Sequence, residues 1–156
     1  MESKSGFSIK IRDATRRDLP GILEIERLAF DSPWSLDSFV RELSLPFSRL
    51  IVASNNANGD QPLVGFLCRW LVADECHILN LAVHPRMRRK GIADQLMSNA
   101  LAEAKTRKAQ VVSLEVRRSN LAARSLYRKL DFAERRLRRN YYGPGEDAIV
   151  MELELG

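Results

Sequence analysis

The 156-residue sequence predicts an α/β (α+β) domain built on a mixed seven-stranded sheet with about four helices. The length suffices for one core, and 45% hydrophobic with 29% charged residues is typical of globular domains. Segments whose apolar residues recur at the spacing of a strand or of a helix follow one another in the order β-α-α-β-β-β-α-β-α-β-β. A strand, a helix and a strand in the second half predict a right-handed crossover between parallel neighbours. We expect a single domain over 9–155, after a flexible N-terminus, 1–8.

The N-terminal part predicts a strand and then a helix. Ile9 and Ile11 alternate with polar residues, which indicates a half-buried strand. Thr15 and Asp18 have the spacing of a capping box. The pattern therefore predicts a helix over 17–30 with an apolar stripe and acidic outer positions.

A break at 31–34 (Asp-Ser-Pro-Trp) separates this helix from a shorter one over 35–44. Glu26 is counted among the acidic outer positions of the first helix. Phe30 and Trp34, beside the break, are either a wall of a substrate groove or core aromatics. By residue type alone, the core interpretation is favoured.

The rest of the chain alternates strands and helices. Three strands joined by short turns, expected to be antiparallel, precede a long amphipathic helix that starts after Gly91. The predicted later elements are a strand, a helix capped by Ser119 or Asn120, and a final hairpin. The ranges are 48–54, 62–72 and 76–83 for the three strands, 111–116 for the next, 120–130 for the helix, and 132–139 and 148–155 for the last two strands, with 55–60 and 141–145 as connectors.

Composition narrows the class of protein. No apolar run reaches the ~20 residues of a membrane span, and the N-terminus lacks the apolar core of a signal peptide, so we expect a cytoplasmic protein without a membrane partner. Cys68 and Cys76, with His77 and His84, do not have the spacing of a zinc site, and we expect no metal.

The net charge of +5 comes from several basic clusters. One interpretation is a nucleic-acid surface, and another is a funnel for a polyanionic cofactor. For any single cluster a solvated rim is favoured. The clusters are 86–90, 105–108, 117–118 and 135–139.

The stretch 80–94 predicts an anion site. An apolar strand, a basic loop and Gly91 precede the long helix, whose first N–H groups and dipole would point at one spot. The residues of this stretch do not match the phosphate-binding motifs G-x-x-x-x-G-K-[ST] and G-x-G-x-x-G. The pattern is instead Arg88-x-x-Gly91-x-Ala93. An ordinary crossover turn with solvated arginines is the alternative.

Two further residues are chemical candidates. Glu115 lies in mid-strand, where a covered parallel strand should be apolar. It is either a carboxylate paired with an arginine or a general base in a cleft, its pKa raised by burial. Asn120 and Tyr127 are seven residues apart, on one side of a helix. Taken by itself, Tyr127 is better explained as half-buried with its hydroxyl in water.

These motifs occur together in one family. The pattern Arg88-x-x-Gly91-x-Ala93 resembles the acetyl-CoA pyrophosphate loop of the GNAT N-acetyltransferases. The runs 80–85 and 114–132 are similar to the strand before that loop and to the second half of the fold. The run 139–151, with Arg-Asn-Tyr-Tyr, resembles the RimI-type branch that acetylates the N-terminal alanine of ribosomal protein S18. The resemblance spans roughly 9–155.

The resemblance implies acetyl-CoA as co-substrate, an N-terminal peptide as acceptor, and a role for each matching residue. Glu115 would accept the amine proton, directly or through water, and Tyr127 would protonate the departing thiolate. The acetyl and pantetheine portion would be held by Leu81, Ala82, Val83 and Asn120, the pyrophosphate by Arg88, Arg89, Lys90, Gly91, Ile92, Ala93 and Asp94, and the acceptor by Pro33, Trp34, Tyr141 and Tyr142.

One departure from the family and several rival functions are noted. Asp131 stands where the family usually has glycine after the fourth helix, and Asp tolerates a left-handed helix end less well. Acetylation of a lysine or a small amine is the enzymatic alternative. A non-catalytic acyl-CoA sensor or an RNA-binding module is the third, and direct nucleic-acid binding is not expected.

Overall fold

The computed structural model describes residues 8–55 and 62–156, which form seven strands and four α-helices in the predicted order. Most of the predicted flexible N-terminus and of the 55–60 connector lies outside the described residues. The elements are β1 (Ile9–Asp13), α1 (Leu19–Ala29), α2 (Leu36–Ser44), β2 (Ser48–Asn55), β3 (Leu63–Val72), β4 (Glu75–Val83), α3 (Ile92–Thr106), β5 (Val111–Arg117), α4 (Leu121–Lys129), β6 (Ala133–Gly143) and β7 (Glu146–Glu154).

The strands form one mixed sheet in the order β1-β2-β3-β4-β5-β7-β6. β4 and β5 are parallel, as the crossover through α3 requires. β1 with β2, β5 with β7, and β6 with β7 are antiparallel. The mixed seven-stranded sheet with four helices is confirmed.

The first of two compact units comprises the described residues of Met1–Arg69 and Asn80–Ala100. Its entry into α1 is a 3-10 turn, Arg16–Asp18, in which the Thr15 N–H donates to Asp18 Oδ2 over 2.8 Å. The predicted capping box is therefore present, although α1 itself begins at Leu19. The core of this unit is apolar and includes the buried Ile22, Ile25, Phe39, Phe66, Leu96 and Met97.

The second unit comprises Trp70–Leu79 and Leu101–Gly156. Its core lies along the central strands β5 and β7, where the buried residues include Val112, Leu114, Val150 and Met151. β5 alternates between buried and half-buried positions, as period two requires for a strand. The organisation of 9–155 as a single domain stays a prediction.

Two sequence-based expectations are wrong. Tyr141 and Tyr142 belong to β6, not to the connector, because the β6–β7 ladder continues to the pair Gly143–Glu146. Asn140 stabilises this extension, since its Oδ1 accepts a hydrogen bond from the Gly145 N–H over 2.8 Å. Glu26 is not an outer position of α1, because it is only 1% exposed.

Candidate active site

The loop before α3 has the backbone geometry of an anion site. Gly91 has φ = +77°, a conformation that L side chains rarely adopt, and Arg89 has φ = +63°. A Cβ at Gly91 would meet no atom within 4 Å, so the requirement for glycine is conformational and not steric. α3 starts directly after this residue, at Ile92.

The first turn of α3 presents unpaired donors. The Gln95 N–H makes the first helical bond, to the Gly91 carbonyl over 3.0 Å, which leaves the N–H groups of residues 92–94 without a preceding helical carbonyl. Arg88, Arg89 and Lys90 are exposed in the adjoining loop. The start of α3 therefore combines N–H donors, the positive end of the helix dipole and nearby cations. This combination is suited to binding a diphosphate group.

The strand segment Leu81–Val83 is closely packed in the same unit. A Cβ on Gly65 would lie only 3.0 Å from the Ala82 carbonyl oxygen, so the neighbouring backbone approaches more closely than a side chain would allow. Just beyond this segment, the His84 N–H donates to the Val64 carbonyl over 2.8 Å. The backbone of Leu81–Val83 is therefore packed closely against the strand that contains Gly65.

Glu115, in the second unit, is paired with a histidine. His77 Nε2 lies 2.7 Å from Glu115 Oε1. The parallel register places His77 opposite Ser113, so His77 and Glu115 project from the same face of the sheet. The Glu115 side chain is 14% exposed and that of His77 is 34% exposed, which leaves the pair open to solvent on one side.

The hydrogen bond between His77 and Glu115 lowers the pKa of Glu115. This hydrogen bond has the largest effect, burial opposes it, and Arg138 and Arg136 add to the lowering. The expected rise of this pKa through burial is therefore wrong, because the hydrogen bond from His77 and the nearby arginines together outweigh desolvation. The expected arginine partner of the alternative interpretation is a histidine instead. Glu115 is ionised at neutral pH.

Tyr127 and Asn120 lie at opposite ends of α4. Tyr127 is 7% exposed and its ring packs against Phe132, with 5.9 Å between the ring centres. The expectation of a half-buried tyrosine is therefore wrong, because Tyr127 is buried. Burial raises the pKa of Tyr127 well above its ordinary value, and the hydroxyl stays protonated. Asn120 caps the helix, since its Oδ1 accepts the Ala123 N–H over 3.1 Å, and only its amide N–H groups remain as donors for a ligand.

The two tyrosines of the Arg-Asn-Tyr-Tyr run are close together in the second unit. The rings of Tyr141 and Tyr142 meet edge to face at 5.0 Å. The guanidinium of Arg117 lies 4.3 Å from the centre of the Tyr142 ring, and that of Arg138 lies 5.3 Å from the centre of the Tyr141 ring. Burial raises the pKa of Tyr142 to about 12.

Trp34, in the first unit, borders a cavity. The cavity has a volume of about 290 Å³ and is lined by Trp34, Asp37, Ser38, Arg41 and Glu42. The ring of Trp34 packs on Phe39 at 5.2 Å and is half-buried, so it is neither a core aromatic nor fully exposed. Pro33 is exposed beside it. The position of Trp34 fits a groove wall.

Sequence reasoning missed two functional groups. His77 was considered only as a metal ligand, because nothing in the sequence gives its register opposite β5. The burial of Glu26 could have been predicted from spacing, because Ile22 lies four residues before it on the same helix face. The charge of a glutamate predicts an exposed position instead, and here the spacing gives the correct result.

The described part of the chain has neither a cluster of metal ligands nor a membrane-spanning helix. Residues 8–55 and 62–156 contain no group of three or more His, Cys, Asp or Glu placed to hold a metal ion. Among the helices of those residues, none is long and apolar enough to cross a membrane.

Comparisons with known proteins give the family. The model of the acetyltransferase (GNAT) family matches residues 19–132. The [ribosomal protein bS18]-alanine N-acetyltransferase of Salmonella typhimurium is 36% identical over 141 residues, which cover 88% of this chain and 92% of that protein.

Solved structures agree with the sequence comparison. The crystal structure of the ribosomal-protein-S18-alanine N-acetyltransferase from Escherichia coli superposes with a TM-score of 0.86 at 33% identity, covering 96% of this chain and 95% of that chain. Arabidopsis thaliana NAA60 in complex with acetyl-CoA has the same fold, with a TM-score of 0.85 at 20% identity, covering 95% of this chain and 99% of that one. The chain described here belongs to the acetyltransferase (GNAT) family.

Proposed function

We propose that this acetyl-CoA-dependent GNAT enzyme transfers the acetyl group to the α-amine of an N-terminal alanine, and that its natural acceptor is ribosomal protein bS18. The observation that carries the proposal is the match, over 88% of the chain, to a relative that acts on this acceptor. Because the acceptor is ribosomal, the compartment we propose is the cytoplasm.

The first unit supplies the proposed cofactor groups. The N–H groups at the start of α3 and the cations of Arg88, Arg89 and Lys90 would bind the pyrophosphate of acetyl-CoA. The backbone of Leu81–Val83 would hold the acetyl and pantetheine portion. From the second unit, the amide N–H groups of Asn120 would donate to the pantetheine arm.

Glu115 is the proposed proton acceptor. An α-ammonium group has a pKa of about 8, so an appreciable fraction is neutral near pH 7 without a strong base. An ionised, half-open carboxylate attracts the cationic amine and accepts its proton, directly or through a water molecule. His77 holds the carboxylate in one orientation through the 2.7 Å contact.

Tyr127 is the proposed proton donor. The co-substrate supplies an activated thioester, whose sulfur leaves as a thiolate and needs only modest acid assistance. Burial keeps the Tyr127 hydroxyl protonated, so it is an acid throughout the neutral pH range. Exclusion of water around this tyrosine strengthens the hydrogen bond that it would donate.

Two groups of residues are proposed to contact the acceptor. They are Tyr141 and Tyr142 in the second unit, and Pro33 and Trp34 in the first. The Tyr142 ring is held by Arg117 at 4.3 Å, so its position is set before a substrate binds. Preformed aromatic surfaces lower the ordering cost of peptide binding.

The test is acetyl transfer to a peptide panel, measured by CoA release and by mass spectrometry. The panel contains an Ala-starting bS18 N-terminus, the same peptide with other first residues, and versions with a blocked N-terminus and an internal lysine. We expect acetylation of the free Ala α-amine. Acetylation of the blocked lysine peptides alone would assign the enzyme to a different GNAT activity.

A further inference from the structure

Glu26 is a buried carboxylate that joins three segments of the first unit. It lies on α1 with 1% exposure. Its Oε2 accepts a hydrogen bond from the Trp34 backbone N–H, and its Oε1 accepts one from Asn80 Nδ2, both over 2.9 Å. One side chain therefore connects α1, the loop between α1 and α2, and β4.

The partners of Glu26 are all neutral donors. Removing a carboxylate from water disfavours its charged form, and burial accordingly raises the pKa of Glu26 while the Trp34 and Asn80 bonds lower it. No arginine or lysine compensates the buried charge in these contacts. Packing alone would be served better by an apolar side chain in this position.

Each end of the Glu26 contact lies next to a group with a proposed role in the reaction. Trp34 is held on two sides, by the bond from its backbone N–H to Glu26 and by ring packing on Phe39 at 5.2 Å. The Trp34 ring borders the 290 Å³ cavity. Asn80 directly precedes Leu81–Val83, the strand segment proposed to hold the acetyl portion.

We infer that Glu26 is a positioning residue that fixes the acceptor loop around Trp34 against the donor-binding strand at Asn80. This rests on the proposed function, because that proposal makes Trp34 part of the acceptor site. Glu26 contacts neither substrate; it positions the backbone at Trp34. Loss of its hydrogen bonds to Trp34 and Asn80 lets the loop move and weakens peptide binding more than acetyl-CoA binding.

The test removes both acceptors of residue 26 and then restores them. Glu26→Met keeps a side chain of similar length but accepts neither hydrogen bond. In Glu26→Gln, the amide oxygen can accept from the Trp34 N–H, and the Asn80 amide can turn so that its oxygen accepts from the new amide nitrogen. Asp18→Asn is the matched control, since Asp18 is also a buried carboxylate of this unit and bonds only Arg12 and Thr15 in the contacts described.

We expect Glu26→Met to raise the peptide KM roughly tenfold and to leave the acetyl-CoA Kd within about twofold of wild type. Glu26→Gln should keep most of the wild-type peptide KM. Asp18→Asn should lower the Tm without separating the two substrates. A peptide KM unchanged in Glu26→Met, or equal losses for both substrates as in a merely destabilised protein, would overturn the inference.

Amide hydrogen exchange at Trp34 provides a readout that needs no turnover. Exchange of this N–H should be about tenfold faster in Glu26→Met than in wild type and slow again in Glu26→Gln. Unchanged protection at Trp34 in Glu26→Met would overturn the inference. If the wild-type enzyme acetylates no peptide while Glu26→Met still loses protection at Trp34, the proposed function fails and the positioning role of Glu26 stands.

Discussion

Glu26 and Glu115 are two glutamates that the fold removes from water to different degrees and with opposite effects on their charge. Glu26 is 1% exposed and is held by an amide N–H and an Asn side chain, so burial raises its pKa. Glu115 is partly exposed and is hydrogen-bonded to His77, with Arg136 and Arg138 nearby, and these partners lower its pKa. For Glu26 desolvation outweighs the hydrogen bonds, whereas for Glu115 the hydrogen bond from His77 and the nearby arginines outweigh desolvation.

The largest expected effect comes from removing the active carboxylate. Glu115→Gln should lower kcat/KM by about 10²–10³, because general-base assistance and attraction of the ammonium group are both lost. Steady-state kinetics with an Ala-starting peptide measure this, and the fold should be kept, since a hydrogen bond to His77 is still possible. Full activity of this variant would remove Glu115 from the mechanism.

Removal of the proposed acid is the next test of the chemistry. Tyr127→Phe should lower kcat by about 10- to 100-fold and leave the peptide KM nearly unchanged, because only the hydroxyl is lost and the packing on Phe132 is kept. Rates with an acyl-CoA analogue that has a more acidic leaving thiol should recover part of the loss. Equal losses with both leaving groups would argue against proton donation.

The role of His77 is tested through pH dependence. The folded-state pKa of Glu115 is lowered, chiefly by His77, so its ionised form persists as the pH falls below the ordinary value. His77→Phe keeps a ring but removes the hydrogen bond to Glu115, so the acid limb of the kcat/KM profile should move to higher pH. In the Glu115→Gln background the same substitution should have no such effect. Superimposable wild-type and His77→Phe profiles would show that His77 does not set the pKa of Glu115.

The two glutamates should also respond to pH in opposite directions. The pKa of Glu26 is raised in the folded state, so its contribution to the free energy of unfolding is greatest below the unfolded value and is lost as the pH rises through the folded value. That of Glu115 is lowered, so its contribution is present above the unfolded value and is lost as the pH falls through the folded value. Urea unfolding of wild type, Glu26→Gln and Glu115→Gln between about pH 4 and 7 measures both signs. If the contributions of both residues to the free energy of unfolding change in the same direction with pH, the opposite pKa shifts assigned to them are wrong.

The smallest effect is expected away from both carboxylates. Asp131 follows α4 with φ = +75°, in the left-handed region that favours glycine. Asp131→Gly should stabilise the protein by about 1 kcal/mol, and the loss of an anion near the helix C-terminus acts in the same direction. Asp131→Ala is the control, because it keeps the Cβ and should not give this gain. Urea unfolding measures both variants, and kcat/KM should not change.

Local pattern was enough for the element order and for the loop before α3. The spacing of Thr15 and Asp18 predicted the capping box, which is confirmed. Gly91, which the sequence placed directly before the long helix, has the positive φ that glycine accommodates. These features depend on residues close in sequence. The extension of β6 through Tyr141 and Tyr142 was missed because a ladder depends on the partner strand.

The candidate site was less predictable for the same reason. His77 and Glu115 are 38 residues apart, and their 2.7 Å contact depends on the register of β4 against β5. Glu26 and Asn80 are 54 residues apart. Sequence spacing identifies which residues could be chemical, but the sign of a pKa change depends on partners that only the fold brings near.

The most direct measurement is the site of acetylation on intact bS18. Full-length bS18 with a free N-terminal alanine and its native lysines is incubated with the wild-type enzyme and acetyl-CoA, and tandem mass spectrometry locates the product. We expect one acetyl group on the alanine α-amine and none with Glu115→Gln over the same time. Acetylation confined to lysine, or no product from an enzyme that binds acetyl-CoA, would contradict the proposed function.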